Sequence, residues 1–221
     1  MCIRDSRYKI LSSQPEQAKG TLFIVSAPSG AGKTSLVKAL IASLDNVVVS
    51  VSHTTRPSRP GEVDGVNYHF VDEETFLKLR SEDGFFEWAE VFGNLYGTAK
   101  AGIDDQLARG IDVILEIDWQ GARQIREQRD DAVSLFILPP STATLRQRLT
   151  ARGQDNDEVI EKRMLAAKAE LAHYNEADFL VLNDVFERAL EDLQSIVRAC
   201  RLKQEKQSKN LRNTLSDLLS D

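Results

Sequence analysis

From residue 21 onward, short apolar runs alternate with stretches of helical spacing. Residues 21–26 (TLFIVS) are rich in β-formers, and 35–44 repeat apolar positions at helical intervals. Residues 46–52 (NVVVSVS) predict a second strand. The pattern then breaks. Residues 53–97 are polar, punctuated by Pro57, Pro60 and several glycines, and interleaved with aromatics, which predicts an insertion with its own small sheet. The alternation resumes with a helix over 99–109 stopped at Gly110, a buried strand over 112–117, a helix over 120–128 and a buried strand over 134–138 closed by Pro139 and Pro140. Two helices, 142–150 and 158–171, flank a polar turn at 151–157 and read as a lid. A last strand at 179–183 and a long helix at 186–203 follow. Continuous apolar strands between helices require a parallel sheet covered on both faces, so the fold class is α/β in one unit.

Composition narrows the functions. At 221 residues and 42% hydrophobic, the chain can bury one sizeable core. A net charge of −6 argues against general nucleic-acid binding, which needs a basic face, but leaves room for a single small anion. Cys2 and Cys200 form neither a metal-ligand spacing nor a disulfide framework, which fits a reducing, cytoplasmic setting. No apolar run approaches the ~18 residues of a membrane span. Residues 1–19 lack the apolar stretch of a signal peptide and read as a disordered lead outside the fold.

The first chemistry lies between the first strand and the first helix. Ala27, Pro28, Ser29, Gly30, Ala31, Gly32, Lys33 and Thr34 fit the phosphate-loop pattern, with Ala27 where its first glycine stands. Gly30 and Gly32 let the backbone fold around an anion with its N–H groups inward, and the following helix adds its positive end. Lys33 reaches the outer phosphates of a triphosphate, and the Thr34 hydroxyl suits Mg²⁺. Ala27 requires a negative φ at its position.

A second anion site is suggested by Arg56 and Arg59 on a proline-stiffened loop, with Tyr68 following; two guanidinium forks and a phenol suit a phosphate dianion. A solvated basic loop would carry the same residues. Glu87, beside Trp88, could accept two hydrogen bonds from the N–H edge of guanine, an edge adenine lacks. Taken alone, Glu87 reads as a surface residue.

The motifs SAPSGAGKT, SVSHTTRPSRPGE, GVNYHFV, FFEWAEVFGNLYGT, EIDWQGA, FILPPS, RLTARGQ and VLND occur in this order, and together they resemble a guanylate kinase over about residues 20–201. The resemblance implies a P-loop NTPase-type parallel sheet flanked by helices, with an inserted GMP-binding subdomain (53–97) and a helical lid (139–169). The core would comprise 20–52, 98–138 and 170–205, with a tail at 206–221. It implies transfer of the ATP γ-phosphate to GMP, and to dGMP, with Mg²⁺. Arg56, Arg59, Tyr68 and Tyr96 would hold the GMP phosphate, and Ser52, Glu87 and Thr98 would frame the guanine. Asp118 would position GMP and its arginines. Arg148, Arg152 and Arg163 would close over the phosphates, and Asn183 would lie near the adenine. Similar enzymes usually carry Asp-Ile-Asp where this chain has Glu116-Ile117-Asp118, so the reach of a water-mediated Mg²⁺ ligand at Glu116 is altered by one methylene.

Two rivals remain at this point. Another nucleoside monophosphate kinase would share the phosphate loop but not Glu87 in this setting. A non-catalytic scaffold module would have an eroded loop and attached domains. His53, His69, His173, Trp88 and Trp119 read as packing or surface residues, and Cys200 as buried and inert. Leu211, Leu215, Leu218 and Leu219 share a helical face that suits a second copy of the chain or a docked tail.

Overall fold

The computed structural model describes residues 18–91, 93–151 and 157–220. Its centre is a five-stranded, wholly parallel sheet in the order β2-β7-β1-β8-β9. The strands are β1 (Leu22–Ser26), β2 (Val47–Val49), β7 (Asp112–Glu116), β8 (Val133–Leu138) and β9 (Phe179–Leu182). β1 lies in the middle and is buried at every residue, as its unbroken apolar run requires. One face packs Phe23, Val25, Leu135, Ile137 and Val181 against α1 (Lys33–Ser43) and α7 (Phe186–Arg201). The other packs Leu22, Ile24, Val113 and Leu115 against α3 (Ile103–Ala108) and α4 (Trp119–Gln128).

At the amino ends of the strands the buried Asp112 carboxylate accepts the Thr21 N–H at 2.6 Å and Arg201 Nε at 2.7 Å, pinning the end of α7 beneath the sheet. The carboxyl ends of β1, β7 and β9 open at the opposite edge, where open α/β sheets bind ligands.

The insertion forms the expected separate sheet, in the order β4-β3-β6-β5: β3 (His53–Thr54), β4 (His69–Phe70), β5 (Phe85–Val91) and β6 (Asn94–Ala99), with α2 (Glu73–Ser81) between β4 and β5. Two boundaries differ from the sequence reading by more than two residues. The strand predicted over 46–52 ends at Val49, because Ser52 already serves the second sheet by accepting the His69 N–H. The helix predicted over 99–109 begins only at Ile103: Ala99 still pairs with Phe85, Lys100 donates its N–H to Gly84, and Gly102 turns the chain at φ +84°. Gly110, at φ +74°, ends that helix as expected.

The two helices expected to form a lid are α5 (Thr142–Ala151) and α6 (Asp157–Leu171), joined by residues outside the described set; Arg152 is among those. Residues 1–17 of the expected lead also lie outside it, whereas Ala18 is buried. The tail carries α8 (Gln204–Asn210) and α9 (Arg212–Leu218), and Lys206 Nζ donates to Thr21 Oγ1 at 2.6 Å.

Candidate active site

β1 delivers the chain into the phosphate loop at Ala27. Gly30 (φ +92°) and Gly32 (φ +98°) both occupy the left-handed region that favours glycine. A Cβ on Gly32 would stand 2.4 Å from Asn183 Nδ2, so space excludes a side chain there as well. Among the described residues positive φ outside glycine occurs only at Asn46 and Asp83, so Ala27 stands in an ordinary conformation. Gly32 caps α1 with no side-chain acceptor, and the first turn holds no acid. The positive end of the helix is therefore left for an external anion.

The outside of the loop is braced. The Ala31 carbonyl accepts Asn183 Nδ2 at 2.7 Å and Arg148 Nη1 at 3.2 Å, while Arg148 Nη2 reaches the Asn183 carbonyl at 3.1 Å. Asn183 is buried and its Oδ1 has no hydrogen-bond partner. A Cβ on Gly30 would sit 3.0 Å from Leu145, so α5 rests directly on the loop.

Lys33 and Thr34 open onto a cavity of about 250 Å³ that Asp118 and Glu170 also line. Burial pulls the Lys33 pKa down, opposed by the carboxylates of Glu116, Glu170, Asp118 and Glu87. Thr34 Oγ1 donates to Glu116 Oε2 at 3.2 Å. Asp118 caps α4 by accepting the Gly121 N–H at 2.9 Å, which fixes its carboxylate at the cavity wall.

The second half of the site is built by the insertion. The register between β5 and β6 shifts between Phe85 and Glu87, a bulge that leaves Phe85, Phe86 and Glu87 all buried. The strand's ordinary alternation would have turned one of them outward. Glu87 is 6% exposed and accepts Thr98 Oγ1 at 2.5 Å, with Ser52 Oγ 3.5 Å beyond. Burial raises its pKa to about 7, against the Thr98 hydrogen bond; the negative charge of Asp118 adds to the rise and Lys33 opposes it. The surface reading of an isolated Glu87 is thereby corrected.

Arg56 is held in a fork. Its Nη2 bonds both Glu62 oxygens, at 2.8 and 3.0 Å, and Nη1 bonds the Pro57 carbonyl at 2.7 Å. The guanidinium lies 5.5 Å from the Tyr68 ring centroid, and Tyr68 meets Tyr96 edge-on at 6.0 Å. Glu62 also accepts the Arg59 N–H at 2.7 Å, while Arg59 itself is exposed. The charge of Glu116 on the core reaches Tyr68, and that of Glu87 reaches Lys33. Glu87 Oε2 packs against Gly121, whose N–H Asp118 accepts, and Asp118 lines the Lys33 cavity, so the second group adjoins the first at the start of α4.

The guanylate kinase family model matches residues 19–200. The chain belongs to the guanylate kinase family. It is 57% identical over 206 residues to the guanylate kinase of Aliivibrio fischeri, covering 92% of this chain and 100% of that one. It is 58% identical over 200 residues to that of Alkalilimnicola ehrlichii, covering 90% and 98%. The crystal structure of guanylate kinase from Anaplasma phagocytophilum superposes with a TM-score of 0.71 at 36% identity, covering 85% of this chain and 89% of that one. The protein is a nucleoside monophosphate kinase, an ATP:GMP phosphotransferase.

In this guanylate kinase, the residues expected from sequence around the loop (27–34, Asp118, Asn183, Arg148) and around the second cradle (Ser52, Arg56, Tyr68, Glu87, Tyr96, Thr98) come together as two groups. Arg163 lies on α6, and Arg152 falls outside the described residues. Sequence reasoning passed over Glu62 and Glu170. Glu62 had a signal, since it closes the RPGE turn three residues after Arg59, where an acid can reach back to a guanidinium. Glu170 sits near the end of the second predicted lid helix and had no local signal of its own. Of the discounted residues, Trp119 stacks on His173 at 3.7 Å, Trp88 lies 39% exposed beneath Arg80, and Cys200 is buried.

Proposed function

We infer that the loop 27–34 holds the ATP phosphates and that the insertion holds GMP, with Arg56, Arg59, Tyr68 and Tyr96 on its phosphate and Ser52, Glu87 and Thr98 on its base. The single observation that carries this reading is the junction at the start of α4: Glu87 packs against Gly121, whose N–H is accepted by Asp118, and Asp118 lines the Lys33 cavity. A GMP phosphate oxygen attacks the γ-phosphorus in line, and a phosphate dianion needs no general base. Lys33 stabilises the spreading charge, and Arg148, Arg152 and Arg163 close the site from the lid. Asp118 orients the groups between the two phosphates. Asn183 carries a buried Oδ1 with no hydrogen-bond partner, which an exocyclic amine of the ATP adenine would satisfy.

Among the described residues no cluster of three acids or histidines could hold a metal by itself. Thr34 Oγ1 and Glu116 Oε2, 3.2 Å apart, are hard oxygen donors of the kind Mg²⁺ takes one or two at a time alongside phosphates. These two residues would hold Mg²⁺, Glu116 through water, and the ion would supply charge neutralisation on the phosphates. No helix among the described residues is long and apolar enough to cross a membrane. The buried Cys200 thiol agrees with the cytoplasmic setting we assign.

A coupled assay of ADP release with ATP and each of GMP, dGMP, AMP, UMP and dTMP tests this. Turnover is expected with GMP and dGMP. Turnover with AMP in place of GMP would remove Glu87 from base recognition.

A further inference from the structure

The phosphate loop is also gripped by a residue that none of its phosphate contacts requires. Pro28 has no N–H, so Ser29 carries the first donor after it. That donor goes to Glu170 Oε2 at 3.1 Å. Glu170 is on α6, seven residues beyond Arg163, so the two lie about 10 Å apart along one face of the same helix. Its carboxyl group is partly buried, at the wall of the cavity that Lys33, Thr34 and Asp118 share. Burial raises its pKa, opposed by the Ser29 N–H and by Lys33.

A carboxylate beside a triphosphate site repels the substrate. Its placement needs a return. Glu170 and Lys33 line the same cavity, and the negative charge of the carboxylate favours the charged lysine. Glu170 holds the loop through the hydrogen bond it accepts from the Ser29 N–H. α5 already rests on Gly30 through Leu145, so α6 adds a polar grip to an apolar one.

We propose that Glu170 is a positioning residue for phosphoryl transfer. Its carboxyl oxygen fixes the Ser29 peptide and ties the phosphate loop to the helix that carries Arg163. The loop and the lid are then set in register by one side chain at the base of the lid. The inference rests on the reading of residues 27–34 as the ATP cradle.

The test is steady-state kinetics with ATP and GMP on the full chain, comparing Glu170→Gln, Glu170→Asp, Glu170→Ala and Lys33→Met, with thermal midpoints measured alongside. Glu170→Gln keeps an oxygen acceptor at the same reach and is expected to hold kcat within about threefold of the parent. Glu170→Asp keeps the charge but falls one methylene short of Ser29. It is expected to lose about tenfold or more in kcat, the scale of one charge-assisted hydrogen bond, with KM for GMP and the thermal midpoint unchanged. Glu170→Ala should match it; if that variant does not fold, the Asp and Gln variants decide. Parent-like kcat in Glu170→Asp overturns the proposal. So does a Glu170→Gln variant as slow as Glu170→Asp, or a loss in Glu170→Asp that tracks a fall in thermal midpoint. A Lys33→Met enzyme that still turns over would instead defeat the cradle reading. An inert Lys33→Met beside a fully active Glu170→Asp defeats the Glu170 inference alone.

Discussion

Gly121 makes the room that the Glu87 carboxylate occupies: a Cβ on Gly121 would stand 2.8 Å from Glu87 Oε2. Gly121 lies in the first turn of α4, where Asp118 accepts its N–H. The Glu87 carboxylate, the capping aspartate and the helix start are thus packed into one unit. A buried acid on the insertion is seated against a helix of the core.

Gly121→Ala separates recognition from stability. Its nearest obstacle is the end of a flexible side chain, and alanine is favoured over glycine inside a helix by about 1 kcal/mol. The thermal midpoint should therefore hold or rise. Glu87 must swing away, so KM for GMP should rise by about tenfold or more, as expected when a buried polar recognition group is displaced. Parallel melting curves and GMP titrations check the split. An unchanged KM would show that Glu87 keeps its seat.

The raised pKa of Glu87 sets a pH signature. Its value of about 7 in the fold, against 4.5 for an unperturbed glutamate, means that the folded state holds the proton more tightly than the unfolded chain. Its contribution to stability is then greatest below pH 4.5 and falls as pH rises to about 7, by roughly 3 kcal/mol in all. Glu87→Gln should flatten that slope in urea melts between pH 5 and 7.5. If guanine donates to Glu87 as proposed, it does so to the ionised form, and GMP binding near pH 6.5 should release more protons from the parent than from Glu87→Gln. Calorimetry in two buffers of different ionisation enthalpy reads the difference.

Lys33→Met should cost about 10²–10³ in kcat, the scale of one lost transition-state donor. Burial lowers the Lys33 pKa, so its charge is held at a cost to the fold. The thermal midpoint of the variant should stay level or increase. Single-turnover rates with far-UV circular dichroism as control provide the measurement.

The central sheet was legible because its strands are continuous apolar runs, as in LFIVS and VSLFIL, and only burial on both faces accommodates those. The loop was legible because glycine spacing, lysine and hydroxyl lie within eight consecutive residues. Glu87 was not, taken alone. Its burial depends on a bulge at Phe85–Glu87 and on the absence of a side chain at Gly121, and neither leaves a mark on a period-two pattern. The late start of α3 escaped for a similar reason. The segment Lys100–Gly102 has helical company on one side, but its Lys100 N–H is bound to Gly84 in the neighbouring hairpin. Glu170 acts on Ser29 across 141 positions of sequence, a pairing that only the tertiary fold creates.

Glu62 should act on GMP without touching it. It takes two hydrogen bonds from Arg56 and one from the Arg59 N–H, and these hold its carboxyl below the usual glutamate range. The Arg56 and Glu62 side chains are only 12% and 19% exposed, so water screens this pair less than an open surface bridge. Glu62→Ala releases both the guanidinium fork and the turn that carries Arg59. Arg56 would still lie over Tyr68, but its direction would no longer be fixed. KM for GMP should rise by about tenfold, the scale of one lost hydrogen bond to a charged group, while KM for ATP stays level. Glu62→Gln retains one acceptor and should fall between the two. Equal rises in both Michaelis constants would mean that the turn supports the whole cleft rather than the GMP phosphate.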